Sequence, residues 1–351
     1  MSDKLNEYDA WLTTDEGPAA LVIREHLMPV EGHDGAVFPA TFAAGDGFSG
    51  GYNIDTFGDE KDGKNVCLID SVGSQANRIE PKFAEDAYAK LIPQVVVKAG
   101  DKEVNVVKAG HRAGDALMRC SELQEELHEA FQAVLMDDAE PLARVAPTSL
   151  VFGVWDSRDT QAKLPRLVSS VIRAYDVQKM TRGAVYTPPV DYAQLDVFSE
   201  KEKAKAEGSS KSPLAQRGFV HNPASNSHGG VIATGGIRRE ATLSLAALQL
   251  LKASDDDRTL ALRRYVLGLS LVALTMNTSA YLRQGCNLVL DPDKPREFCE
   301  VFRDGRREPA TIDHAAAVEF AKAAADAFGL GADRTVNFDK EKAKADVKKK
   351  S

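Results

Sequence analysis

The longest mostly apolar run in the chain, Tyr265–Met276 (YVLGLSLVALTM), limits most sharply what the sequence can become. A membrane-spanning helix needs roughly 20 such residues, and this run falls well short of that. It reads instead as part of a helix over Arg258–Arg283, closed by Gly285 as a C-terminal glycine. The N-terminus, MSDKLNEYDAW, carries acids where a secretory signal would carry bases. The four cysteines, Cys67, Cys120, Cys286 and Cys299, are too scattered for a disulfide framework. These features make the cytoplasm the expected location. With 351 residues, length alone suggests about two domains. Strands and helices interleave throughout, however, so the expectation is an α+β protein built on one elaborated sheet.

Residues 1–70 are loop-rich, with short strands expected at Ala36–Phe42 and Val66–Ile69. Gln94–Val97 and Val104–Val107 flank a glycine-containing turn and read as a hairpin. Ser121 and Gln124 form a capping-box pair opening a helix whose buried face is Leu123, Leu127, Phe131, Val134 and Leu135. Thr148–Trp155 (TSLVFGVW) reads as an interior strand, and a second strand lies within Val168–Val177. Ser199–Ser212 (SEKEKAKAEGSSKS) has no large apolar side chain and reads as a mobile excursion, within an insertion at 191–217. Gly229–Gly236 is a short strand between glycine pairs. Helices are expected over Thr242–Lys252 and Asp313–Phe328, with a strand at Cys286–Leu290 and a frayed lysine-rich tail at 335–351.

The net charge of −8 is unevenly distributed. Residues 1–70 hold 14 acids and 4 bases, whereas Arg144–Arg182 holds seven bases and three acids. That local excess is compatible with a polyanion site. Gly45–Gly50 matches G-x-G-x-x-G, but no helix start follows to receive phosphates, so the dinucleotide reading fails. His111-Arg112-Ala113-Gly114-Asp115 lacks the companions of a kinase loop. The cysteine and histidine spacings fit no zinc site, and neither a phosphate loop nor a G-x-S-x-G elbow is present. No metal or cofactor is expected.

Six short blocks combine Arg with small polar residues where neither core packing nor solubility calls for them. They are Ser74–Arg78, His111-Arg112, Asp156–Arg158, Lys163–Arg166, Ser169–Arg173 and Gly235–Arg239. Such side chains contact phosphate and sugar, which fixes register without reading sequence.

The ordered set SQANRIE (Ser74–Glu80), HRAGDAL (His111–Leu117), SLVFGVWDS (Ser149–Ser157), KLPRLVSSVIRAYDV (Lys163–Val177), YTPP (Tyr186–Pro189), GFVHNPA (Gly218–Ala224) and GGVIATGGIRREATLSL (Gly229–Leu245) resembles the RAMP-type backbone subunit of the type I-G CRISPR surveillance complex, Cascade. The resemblance covers about Ser71–Leu290. It implies a single RAMP-type domain over 1–351, with an RRM-like (ferredoxin-like) palm and large insertions forming fingers and thumb. It also implies a non-catalytic subunit that multimerises along CRISPR RNA and presents it for pairing with target DNA, beside other Cascade subunits and away from any membrane. The phosphate candidates are Arg78, Arg112, Arg158, Lys163, Arg166, Arg173, Arg238 and Arg239. Gln75, Asn77, His111 and Ser169 are candidates for ribose or phosphate hydrogen bonds. The RRM aromatic stacking motif is not recognisable. Two other readings are a metal-independent endoribonuclease acting on precursor CRISPR RNA, with His111 or His221 as general base, and a scaffold that binds no RNA.

Overall fold

The computed structural model describes residues 2–13, 17–58, 64–209, 211–277 and 279–348. The architecture is carried by β1 (Ala20–Pro29), β2 (Asn65–Asp70), α1 (Val72–Ile79), α2 (Thr148–Phe152), β3 (Val168–Tyr175), β4 (Val177–Tyr186), α3 (Glu200–Ala206), α4 (Pro213–Gln216), β5 (Asn222–Ala233), β6 (Ile237–Ser244), α5 (Asp256–Thr275), β7 (Tyr281–Arg283), β8 (Cys286–Leu290), β9 (Glu297–Val301) and α6 (His314–Phe328). The main sheet runs β7–β8–β1–β6–β3–β2, with Ile54–Thr56 beyond β2. Its neighbouring strands are antiparallel. The central four, β8–β1–β6–β3, are the fourth, first, third and second strands of a β-α-β-β-α-β unit, the split βαβ of the ferredoxin-like palm. Strand β1 is shared on its outer edge: Ala20–Arg24 pair with β9 and Leu27–Pro29 with β8.

Helices cover one face of this sheet. Leu21 and Ile23 of β1 and Ala241 and Leu243 of β6 pack into one core with α5, which is buried from Tyr265 to Leu274. Helix α5 crosses α6 closely at Gly268, where an added Cβ would lie 2.7 Å from the Ala321 Cα. Among the described residues, no helix is long and apolar enough to cross a membrane. The four cysteines are buried.

Several elements differ from the sequence expectation, each for a local reason. Thr148–Phe152 is a buried helix, and only Val154–Trp155 is strand. A continuous apolar run has no period to separate the two states, and Gly153, with φ of 79°, makes the break. The strand expected at Ala36–Phe42 is reduced to Thr41–Phe42, paired with Gly51–Tyr52, and a bridge from Val37 to Val231. Residues 242–244 continue β6 in strict alternation, leaving only Leu245–Leu248 helical behind the Ser244 cap. Helix α5 stops at Thr275, and Gly285 serves the turn between β7 and β8 instead. The tail contains a strand, Arg334–Asn337, and a helix, Lys340–Lys348, tied back by Asp346 on Arg119. Within Ser199–Ser212, Ser199 and Glu202 form a capping box that opens α3. Ala206, Ala215 and Val220 with Phe198 and Leu214 give it a small core, most of whose apolar side chains lie outside the charged stretch.

Between the sheet and its helices runs a chain of buried polar contacts, and it claims several of the expected RNA contacts. Asp70 accepts from Ser74 Oγ (2.9 Å), Gln75 Nε2 (2.6 Å), Arg78 Nε (3.2 Å) and Arg283 Nη2 (2.6 Å). Gln75 Oε1 accepts from Ser170 Oγ, which in turn accepts from Arg239 Nη1. Arg239 Nε donates to Glu25 at 2.5 Å, and Arg296 reaches the other oxygen of Glu25 at 2.8 Å. Separately, Arg112 donates to Glu80 at 2.6 Å and lies over the Phe152 ring. Burial pushes the Glu80 carboxyl up to about 7, and the Arg112 charge opposes that rise. Gln75, Arg112 and Arg239 are thus internal supports, as Arg78 largely is, because a guanidinium removed from water must meet a carboxylate. Arg112→Met takes from the buried Glu80 its guanidinium partner and leaves it Thr148 alone as a hydrogen-bond partner. Urea unfolding at neutral pH is expected to show a loss of about 3–5 kcal/mol; an unchanged midpoint would contradict the pairing.

Candidate nucleic-acid interface

The face of the palm away from the helices collects a different set of side chains. Alternation sends Ile237, Arg239, Ala241 and Leu243 of β6 inward and leaves Arg238, Glu240 and Thr242 half-buried on the other side. Strand β3 does the same with Ser169, Arg173 and Tyr175. The registers place Arg173 and His26 on either side of Arg238, and Arg24 beside Glu240. Ser169 lies next to Thr242 on the same face. Sheet spacing of about 4.8 Å between strands therefore brings together groups drawn from distant parts of the chain.

Glu240 is the shared counter-ion of three guanidiniums. Arg24 Nε lies 3.5 Å from it, Arg173 Nη1 3.6 Å and Arg238 Nη2 4.0 Å. These distances are longer than hydrogen bonds, so the charges are loosely balanced rather than saturated. The second carboxylate near Arg24, Glu297, already accepts two hydrogen bonds from Arg307. The Nε–H groups of Arg24 and Arg238 are buried and make no hydrogen bond among the described residues. An unmet buried donor of this kind is costly, while the three arginine side chains as a whole stay 30–42% exposed. The Arg238 guanidinium lies 4.0 Å from the Tyr175 ring centroid, which steadies its plane. Burial, then Lys294 and Arg238, hold the His26 imidazole below its ordinary pKa, so it stays neutral at pH 7.

A second group lies at a small hairpin, Val154–Trp155 against Lys163–Leu164, which precedes β3. His111, Arg158 and Lys163 are exposed there, and the Lys163 ammonium sits 5.4 Å from the Trp155 ring centroid. Arg166 is half-buried and donates Nε to the Phe152 carbonyl. Asn77 is exposed on α1, in the helical layer. Of the twelve expected residues, the palm face thus gathers Ser169, Arg173 and Arg238, and the hairpin gathers His111, Arg158 and Lys163. Arg24, Tyr175 and Trp155 were missed. The period-two pattern of β1 could have flagged Arg24, but it sits in a strongly acidic stretch.

Strands β4 and β5 pair with each other outside the main sheet, with Val231 also bridged to Val37, and form a ribbon whose residues Gln178–Tyr186 are exposed on β4. The ribbon carries α3 and α4 between its strands. At its base a cavity of about 440 Å³ is lined by Tyr52, Arg182, His228 and Gln284. Another, of about 460 Å³, opens on the helix side of the sheet, where Glu25, Arg239 and Arg296 already satisfy one another. His33, Asp291 and Asp293 place three ligating atoms within 4.8 Å of one another, but the Lys294 ammonium, 3.5 Å from Asp291, already supplies a cation.

No curated protein matches the chain. Residues 21–179, from β1 to the first residues of β4, match the family model described as CRISPR-associated protein GSU0053. The match spans 159 of the 351 residues, and over that stretch the chain is similar to this CRISPR-associated family.

Proposed function

We propose that the chain is the RNA-binding backbone subunit of a type I-G CRISPR ribonucleoprotein, gripping the guide's phosphates on the open face of its palm. The reading rests chiefly on the cluster of Arg24, Arg173 and Arg238 around one loosely held carboxylate, on a face free of helices. Guide sequences vary, so a general guide-binding protein must use phosphate, ribose and shape, leaving discrimination to base pairing. Guanidiniums fixed by a sheet and by Tyr175 meet that requirement. The net negative charge of the chain is no obstacle, since the local field governs the contact. In this reading the ribbon and its tip act as the thumb. Several copies line one CRISPR RNA beside other Cascade subunits and present it to target DNA.

Single-stranded RNA binding measured against salt tests the reading. The double variant Arg173→Gln/Arg238→Gln is expected to weaken binding by about tenfold or more and to flatten the log–log salt slope by about 1.4, the loss of two phosphate contacts. An unchanged slope and affinity would contradict the site. The role is proposed as non-catalytic. Precursor CRISPR RNA incubated with excess protein and chelator should remain full length, and a discrete cleavage product would overturn that part of the reading.

A further inference from the structure

Trp155 is a large apolar side chain left 56% exposed. Large aromatic side chains are usually well covered in folded proteins, so an open indole on a braced element needs an account. The hairpin that carries Trp155 is rigidly built. Asp156 is buried and accepts from both the backbone N and the hydroxyl of Thr160, at 2.9 and 2.7 Å. Gln161 donates to the Ser157 carbonyl at 2.7 Å. Behind the hairpin, Gly114 lies so close that an added Cβ would fall 3.0 Å from the Trp155 carbonyl oxygen. The turn bearing His111 therefore abuts the same element.

The charges around the indole are one-sided. Arg158 is exposed in the loop of the hairpin, and Lys163 pairs across from Trp155 with its ammonium near the ring. Neither forms an ion pair among the described residues. The nearby carboxylates are occupied: Asp156 by Thr160, Asp159 by His128 at 2.6 Å, and Asp115 by the backbone N–H groups of His111 and Leu117. An exposed indole with the Lys163 ammonium near its ring and an exposed Arg158 in the same hairpin suits a ligand that is aromatic and anionic at once.

We propose that Trp155 is a stacking platform for one unpaired base of single-stranded RNA, with Arg158, Lys163 and His111 holding the flanking phosphates. The proposal rests on the RNA-binding reading and adds to it a contact with a base rather than with phosphate. Stacking of this kind tolerates any base, because every base has a π face, so it fits a guide of variable sequence. The platform lies in the hairpin just before β3, the strand that carries Arg173.

The test uses the full chain and a synthetic mixed-sequence single-stranded RNA. The protein has two tryptophans, so Trp11→Phe leaves Trp155 as the sole indole. Its fluorescence should fall on RNA addition. Trp155→Ala should bind about five- to a hundredfold more weakly, with the salt slope unchanged and Trp155→Phe largely restoring affinity. An abasic strand of equal length should bind wild type and Trp155→Ala alike. If Trp155→Ala binds RNA normally and no quenching occurs, the platform is wrong, and it remains wrong if the variant instead disturbs self-association alone. In either case continued loss of binding in Arg173→Gln/Arg238→Gln would leave the palm reading standing. If wild-type protein binds no RNA at all, both readings fall.

Discussion

A β-strand sends successive side chains to opposite faces, and in β6 two arginines occupy successive positions. Arg238 reaches the open face of the palm and Arg239 the helix side, where it meets Glu25. The rest of the molecule depends on this parity. A slip of one residue in β6 would drive Arg238 into the core and push Ile237, Ala241 and Leu243 toward water. The apolar residues on the inward positions therefore fix which guanidinium is available and which is structural.

The buried contacts beneath the sheet hold that parity in place. Asp70, Gln75, Ser170, Arg239, Glu25 and Arg296 form one connected path under β2, β3, β6 and β1. A path of charged groups gives directional pairing at defined registers, which apolar packing alone does not. On the other face the demands are reversed. Arg24, Arg173 and Arg238 share Glu240 at 3.5–4.0 Å, so their partly exposed guanidiniums are only loosely balanced. The same residue type thus does two jobs, separated by desolvation: paired and spent on one face, loosely balanced on the other.

Much of this was legible from the chain alone. The palm's strands at Val168–Tyr175 and Cys286–Leu290 and the helix ending at Phe328 follow from alternation, apolar runs and amphipathic spacing. Arg239 was expected to contact phosphate, and its inward turn follows only once Ile237–Ser244 is strand, where Ile237, Ala241 and Leu243 share its parity. The burial of Arg112 was not legible, because its partner Glu80 lies 32 residues away and meets it only after folding. Thr148–Phe152 carries no period, so its helix is set by the core around it. Arg24 was hidden by its acidic surroundings, and Trp155 by the apolar run that contains it. Blocks rich in Arg marked segments of the palm and of the hairpin before it, but only strand register decided which members face outward.

The similarity to CRISPR-associated protein GSU0053 ends at residue 179, before β6 contributes its pair of arginines. The central claim is therefore tested most directly on that pair. RNA affinity and urea stability should be measured side by side for Arg238→Gln and Arg239→Gln. The account predicts that Arg238→Gln weakens RNA binding with an unchanged unfolding midpoint, while Arg239→Gln loses on the order of 3 kcal/mol of stability. Equal losses of RNA affinity in the two variants, with stability untouched in both, would contradict it.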